Sequence, residues 1–421
     1  MKKYVLIFLF FTLSSCSFDN KTGIWKDAAQ IPIEKDDSKN IKKNKLKKYE
    51  EIFLSKKLFK EEKKADPNNR IEFDEAIVNN SWQEEFLTET NNISNIFYNN
   101  NKSIVFKSSR LSSFRHQLKM EFAKLETPLF INNKLISYDH KGKIYVYDLT
   151  RKNKTVVYNF YKRSFKKYKK KIKLVLDNNI LFAADNLGYI YSIDINSGSL
   201  LWAKNYGIPF RSNIKIIENQ LILANEDNTI YSINIKNGSV NWKFGTSKSF
   251  LNNDFENSIA IDSSNKNILY LNTNGELYSI NYLRRSINWV INFKNSSTTS
   301  DINLFLSQPI IIKNDNLIVS AANSLFNYNV LSSEKRWDKA ISVALKPIAT
   351  KKNIFLLSKN NLLICLDLSS GRIIWSKNIL SHLKHGWIWK KNQKVGTIIN
   401  ISVVNKEINI FTNRGYLISF A

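Results

Sequence analysis

The sequence predicts an all-β chain folded as an eight-bladed β-propeller of four-stranded antiparallel blades. Three observations carry that expectation. A template of fixed length recurs five times, a strand-sized apolar segment precedes the later copies, and the chain ends on a copy that stops before its final Trp. Self-similarity at a period of about 40 residues is the signature of a repeat architecture, in which no single unit buries its own apolar face.

The template reads Gly or Asn, any residue, Ile or Leu, an aromatic residue, any residue, an aliphatic residue, Asp or Asn, a polar turn often ending in Gly, then Trp. Its copies run Gly188 to Trp202, Asn228 to Trp242, Gly275 to Trp289, Asn323 to Trp337 and Asn361 to Trp375, with the first residue always 14 positions before the Trp. Alternation of the residues around Ile190, Ser192 and Asp194 has the period of a strand. Asp194 and its equivalents suit a turn whose backbone they can bond, and Gly198, Gly238 and Gly371 supply the positive φ such a turn needs. The Trp then opens the next strand, where it can fill the space between neighbouring units. Apolar segments lie ahead of the templates at 215–223, 267–271, 309–319 and 352–357, which brings each unit to about four strands.

Two weaker units complete the count. Gly142 to Asp148 is a degenerate copy leading to Tyr158, and residues 83–122 are assigned a further unit with Phe122 in the Trp position. The last copy, Gly415 to Ala421, lacks its Trp, so the expectation is that Trp82 supplies the closing strand and removes the open edges. Residues 82–421 then divide into eight units of about 42 residues; seven is the alternative if 83–122 is an irregular insertion.

Ahead of the repeats the composition is different. Met1-Lys2-Lys3 precedes an apolar run from Tyr4 to Leu13, shorter than the roughly 20 residues that cross a bilayer and therefore read as an export signal. Leu13-Ser14-Ser15-Cys16 follows it directly, small residues that admit a peptidase before a thiol that can form a thioether. The expected organisation is a signal peptide over 1–15, a lysine-rich flexible tether over 16–75 and the propeller over 76–421. Charge-rich composition such as Lys42 to Lys48 cannot offset chain entropy by burial. A short amphipathic face of Leu46, Tyr49, Ile52, Phe53 and Phe59 is the other reading of the tether.

With 63 Lys and Arg against 36 Asp and Glu, the chain carries +27. The run from Lys162 to Lys171 would suggest nucleic acid in a cytosolic protein; export removes that partner. Only Cys16 and Cys365 occur, which excludes a disulfide scaffold, a cysteine zinc site and a haem attachment motif. No catalytic elbow, zinc-protease or phosphate-loop motif is present. His382 and His385 lack a recognisable third ligand beside His116 and His140.

These residues carry a resemblance. The template with its closing Trp is similar to the repeat of pyrroloquinoline-quinone-type propellers, and Leu13 to Cys16 resembles the lipobox of bacterial lipoproteins. Together they resemble the BamB family of outer-membrane assembly lipoproteins throughout the chain. The resemblance implies acylation of Cys16 and residence on the periplasmic face of the outer membrane, since Ser17 stands where an inner-membrane Asp would be. It also implies a non-enzymatic scaffold without cofactor, whose partners are the periplasmic domain of the barrel-forming subunit BamA and unfolded outer-membrane protein clients. The quinoprotein dehydrogenases of the same repeat type need a vicinal disulfide that Cys365 alone cannot form. The loops at 293–309 and 246–258 match BamA-contacting loops in placement but not in detailed sequence. Phe250, Leu251, Phe305 and Leu306 are the apolar anchor candidates there; ordinary packing between blades is the other reading of all four.

Overall fold

The computed structural model describes residues 16–18, 25–27, 57–66, 71–99, 127–139, 141–159, 170–248, 255–293, 305–381 and 395–420. The chain divides into two compact units, Met1–Ser55 and Lys56–Ala421. In the first, Cys16–Phe18 and Trp25–Asp27 pair antiparallel, with Cys16 opposite Asp27. The export signal and the basic run at 162–169 lie outside the described residues, as do the four histidines.

The second unit is all strand. Its described residues form seven antiparallel sheets, each a meander in chain order. Sheets 1 to 6 have four strands and cover 129–159, 172–205, 215–245, 258–292, 311–339 and 348–378; sheet 7, at 398–420, has three. The first strand of each sheet lies innermost, and the innermost strands of sheets 3 to 7 touch in sequence. Connections within a meander alternate ends. The turns after the first and third strands therefore share one face, and the turns after the second strand share the other with the loops between sheets.

Among the described residues the difference from an eight-unit count lies at 83–122. Residues 83–99 of the unit assigned to 83–122 form no sheet of their own, and 100–126 lie outside the described residues. The described residues of the second unit thus count seven sheets, the alternative that the sequence leaves open. Trp82 does not close sheet 7 either: it exchanges backbone hydrogen bonds with Phe130, of 2.6 and 2.7 Å, on the inner edge of sheet 1. The end of the tether moves as well. Phe59 packs into the apolar cluster between sheets 5 and 6, and Ile71 and Phe73 into that between sheets 6 and 7. Phe73 stacks on Phe355 at 5.4 Å, Lys63 pairs with Ser376 on the outer strand of sheet 6, and Lys313 binds Asp74 at 2.8 Å. A few apolar side chains suffice to dock a segment that its charge content assigned to solvent.

The core lies between the sheets. Buried aliphatic residues from adjacent sheets form successive clusters, such as Ile311, Ile318 and Leu325 with Ala349, Ile354 and Ile364. Each template Trp sits opposite the same position of its own copy: Trp202 opposite Ser192, Trp242 opposite Ser232, Trp289 opposite Ser279, Trp337 opposite Asn327 and Trp375 opposite Cys365. A register shift falls just before the Trp in all five pairings. A bulge inserts one residue and so reverses which face the following side chain takes.

Candidate functional site

Two places in the second unit concentrate what the repeat does not explain: the inner side of the ring and the loop-bearing face. Both depend on the junctions that hold the sheets together. Asp194 Oδ1 accepts from the backbone N–H of Asn196 and Ser197, and Gly198 N–H bonds the Asp194 carbonyl at φ 71°. Asn234 with Gly238 and Asp367 with Gly371 build the same turn. At two junctions the Trp of one sheet lies on the turn of the next. Trp202 donates Nε1–H to the Ile235 carbonyl at 2.8 Å and covers Gly238; Trp337 donates to the Leu368 carbonyl at 3.0 Å and covers Gly371. A Cβ on Gly371 would stand 2.5 Å from the Trp337 ring, so the bare backbone is what admits the indole.

The inner side carries a feature that no repeat contains. From Trp82 the chain makes one circuit of the inner strands in sheet order. Trp82 bonds Phe130 of sheet 1, and the Gln83 carbonyl accepts from Leu176 of sheet 2 at 2.8 Å. Glu84 and the Thr88 carbonyl take Lys215 Nζ of sheet 3 at 2.9 and 2.7 Å. The carbonyls of Glu89 and Thr90 accept from Ile261 of sheet 4 and Ile312 of sheet 5. Asn92 exchanges two side-chain bonds with Ala349 of sheet 6, and Ile96 N–H reaches Val403 of sheet 7 at 3.0 Å. Asn91 Nδ2 joins the Ile259 and Ile310 carbonyls, both at 2.9 Å. We call 82–96 the strap.

Three lysines from the wall meet this strap. Lys215 is almost fully buried, and burial pulls its ammonium below the ordinary lysine value while Glu84 holds it charged. Lys173 of sheet 2 binds Glu85 at 3.2 Å and Glu256 at 2.8 Å. Lys346, ahead of sheet 6, donates to the Asn91 carbonyl at 2.8 Å. The Phe86 ring lies 6.0 Å from Lys215 Nζ and 5.7 Å from Lys346 Nζ.

On the loop face the four apolar candidates part company. Phe305 is buried, edge-on to Phe255 at 5.5 Å and pressed onto Gly275, where a Cβ would come within 2.8 Å of its ring. It is a packing residue of the sheet 4–5 junction, not an exposed anchor; the glycine beneath it leaves a slot only a ring fills. Leu306 next to it is 42% exposed. Phe250 and Leu251 lie outside the described residues. Cys365 is fully buried in sheet 6 opposite Phe355 and Trp375, its thiol pushed up to about 12 by burial and then by Asp367. A thiol so placed is a small core side chain. Among the described residues no group of three or more His, Cys, Asp or Glu is arranged to hold a metal ion. Sequence reasoning missed the strap because its residues follow no period. The pair Glu84-Glu85 in a basic chain was the one signal available.

No curated protein matches the chain in sequence. Among solved structures, the crystal structure of BamB from Moraxella catarrhalis is 13% identical, with a TM-score of 0.49, covering 68% of this chain and 81% of that one. The crystal structure of the computationally designed Ika8 protein is 11% identical, with a TM-score of 0.51 and coverage of 70% and 82%. Likeness at such identity speaks to the fold alone. The sequence model of the outer membrane protein assembly factor BamB matches residues 162–377, the stretch that holds all five full templates and sheets 2 to 6. That match spans more than half of the chain, and on it the chain belongs to the BamB family of pyrroloquinoline-quinone-type repeat proteins.

Proposed function

We propose that the chain is a lipid-anchored periplasmic scaffold that assists the insertion of β-barrel proteins into the outer membrane. The observation that carries this reading is the family match over 162–377, which spans the five full templates. Export by residues 1–15 and acylation of Cys16 place it on the periplasmic face of the outer membrane. Several acyl chains on one thiol-bearing terminus hold a protein firmly where a single chain would not.

The geometry supports binding without chemistry. The inner side of the ring, where a propeller has room for a small molecule, is lined by the protein's own strap. What remains outward is the loop face, and it docks onto the periplasmic domain of a BamA-like barrel-forming subunit, with unfolded outer-membrane proteins as clients. Leu306 is the described apolar side chain there that offers contact without being needed for packing.

The test is capture from envelopes solubilised in mild detergent with a tagged full-length chain. Recovery of the barrel-forming subunit, weakened by Leu306→Asp and unchanged by Lys236→Ala on the opposite face, is the expected result. Failure to recover it from a folded, membrane-fractionating chain overturns the assembly role, and a quinone absorbance in the purified protein overturns the scaffold reading. Cys16→Ala should release the exported chain into the soluble periplasmic fraction; unchanged membrane retention overturns the anchor.

A further inference from the structure

The strap is held as a ligand is held. The apolar clusters between the sheets contain none of the residues from Gln83 to Ile96. Its contacts are backbone hydrogen bonds to inner strands, side-chain amide bonds from Asn91 and Asn92, and ion pairs from Glu84 and Glu85. The fit is loose on one side, where a cavity of about 430 Å³ remains between the strap and Val175, Leu176 and Ile216 of sheets 2 and 3. A core segment would be interdigitated at crystal-like density; a bound peptide is recognised by main-chain bonds and a few charged pairs.

The wall is built for anions. Lys173 and Lys215 are side chains of inner strands, 8% and 1% exposed, and burying an ammonium is costly unless a partner is supplied. Each therefore calls for a carboxylate beside it, and Lys173 has Glu256 at 2.8 Å as well as the strap. Glu84 and Glu85 are the strap's carboxylates, and Phe86 follows them between Lys215 and Lys346.

We propose that the inner side of the ring is a binding site for an extended acidic peptide, and that residues 82–96 are its built-in occupant, exchangeable for an acidic segment of another protein. The recognition chemistry is two adjacent carboxylates followed by an aromatic side chain, on a backbone free to bond the inner strands. The strap is then a competitor in cis, and a partner gains access by displacing it. This stands on the strap and the three lysines alone, whatever protein the loop face takes.

The experiment uses the full-length chain, the isosteric variant Glu84→Gln with Glu85→Gln, and a fluorescent peptide of residues 82–96. Loss of two charge-assisted hydrogen bonds should speed amide hydrogen exchange of the strap by about tenfold or more, with the strands of sheets 3 to 6 unchanged. The peptide should bind the variant saturably and be weakened by salt, bind the wild type poorly, and lose binding when Lys215→Met is added to the variant. A peptide carrying Gln at both positions should not bind. Unchanged exchange in the strap, or a freed strap with no binding of the added peptide, overturns the proposal. Unfolding of the sheets together with the strap overturns it too, because the segment would then be core.

Discussion

The junctions between sheets and the inner side of the ring are held by opposite chemistry. At the junction of sheets 5 and 6, an indole lies on a glycine turn, its Nε1–H reaches a carbonyl, and aliphatic side chains pack on both sides. On the inner side, a single non-repeating segment meets seven strands through amides, carbonyls and ion pairs. The difference teaches where stability and exchangeability reside. Buried apolar area is non-directional and accumulates with every repeat. Polar contacts replace bonds to water and return little net free energy each, so a segment held by them can leave at modest cost.

Breaking a junction should therefore have the largest effect. Trp337→Ala empties the slot over Gly371 and strips a buried indole from the sheet 5–6 cluster, and it should lower unfolding stability by about 3–5 kcal/mol in chemical denaturation. A loss no larger than that of the strap variants would erase the distinction. Gly371→Ala comes next. Its Cβ would meet the Trp337 ring at 2.5 Å on a backbone at φ 66°, with an expected cost of about 2–4 kcal/mol. Gly415→Ala is the matched control. Its φ is 81° but nothing lies within 4 Å of the new methyl, so only the backbone penalty of about 1 kcal/mol should appear. Equal costs at the two positions would show that the indole contact contributes nothing.

The smallest effect sharpens the comparison through pH. Burial pushes the phenols of Tyr206 and Tyr328 up to about 12 from an ordinary 10, and Asp338 adds to the second. A raised folded value means that the unfolded chain ionises first. The stabilisation is complete below pH 10 and is lost as pH rises towards 12. Denaturation midpoints of the junctions should fall over that window. The Glu84–Lys215 pair should persist until the lysine loses its proton, at a pH below the ordinary lysine value. Strap exchange that rises only in step with junction unfolding would contradict the separation.

Much of the fold was legible because the repeat states it five times. The Trp offset, the Asp or Asn before each turn and the glycines at 198, 238 and 371 all specify local geometry, and local geometry needs no knowledge of distant residues. The residues opposite each Trp, Ser192, Ser232, Ser279, Asn327 and Cys365, stand at a template position that reads as any residue, and neither they nor the bulge that brings them face to face was legible. The candidate site was less legible. Phe305 and Leu306 are neighbours of equal apolarity, and only Gly275 beneath the first decides that one is packing and the other surface.

By itself the sequence determined the class of sheet, the unit length, the turn chemistry and the family, since each follows from periodicity within about 40 residues. The tertiary structure alone decided the rest. It turned Trp82 inward onto Phe130 rather than outward onto the last sheet, docked Phe59, Ile71 and Phe73 where a spacer was expected, and set Glu84 against Lys215 across 131 positions of chain. Contacts at such separations depend on how the sheets are arranged in space, and no local pattern records that arrangement.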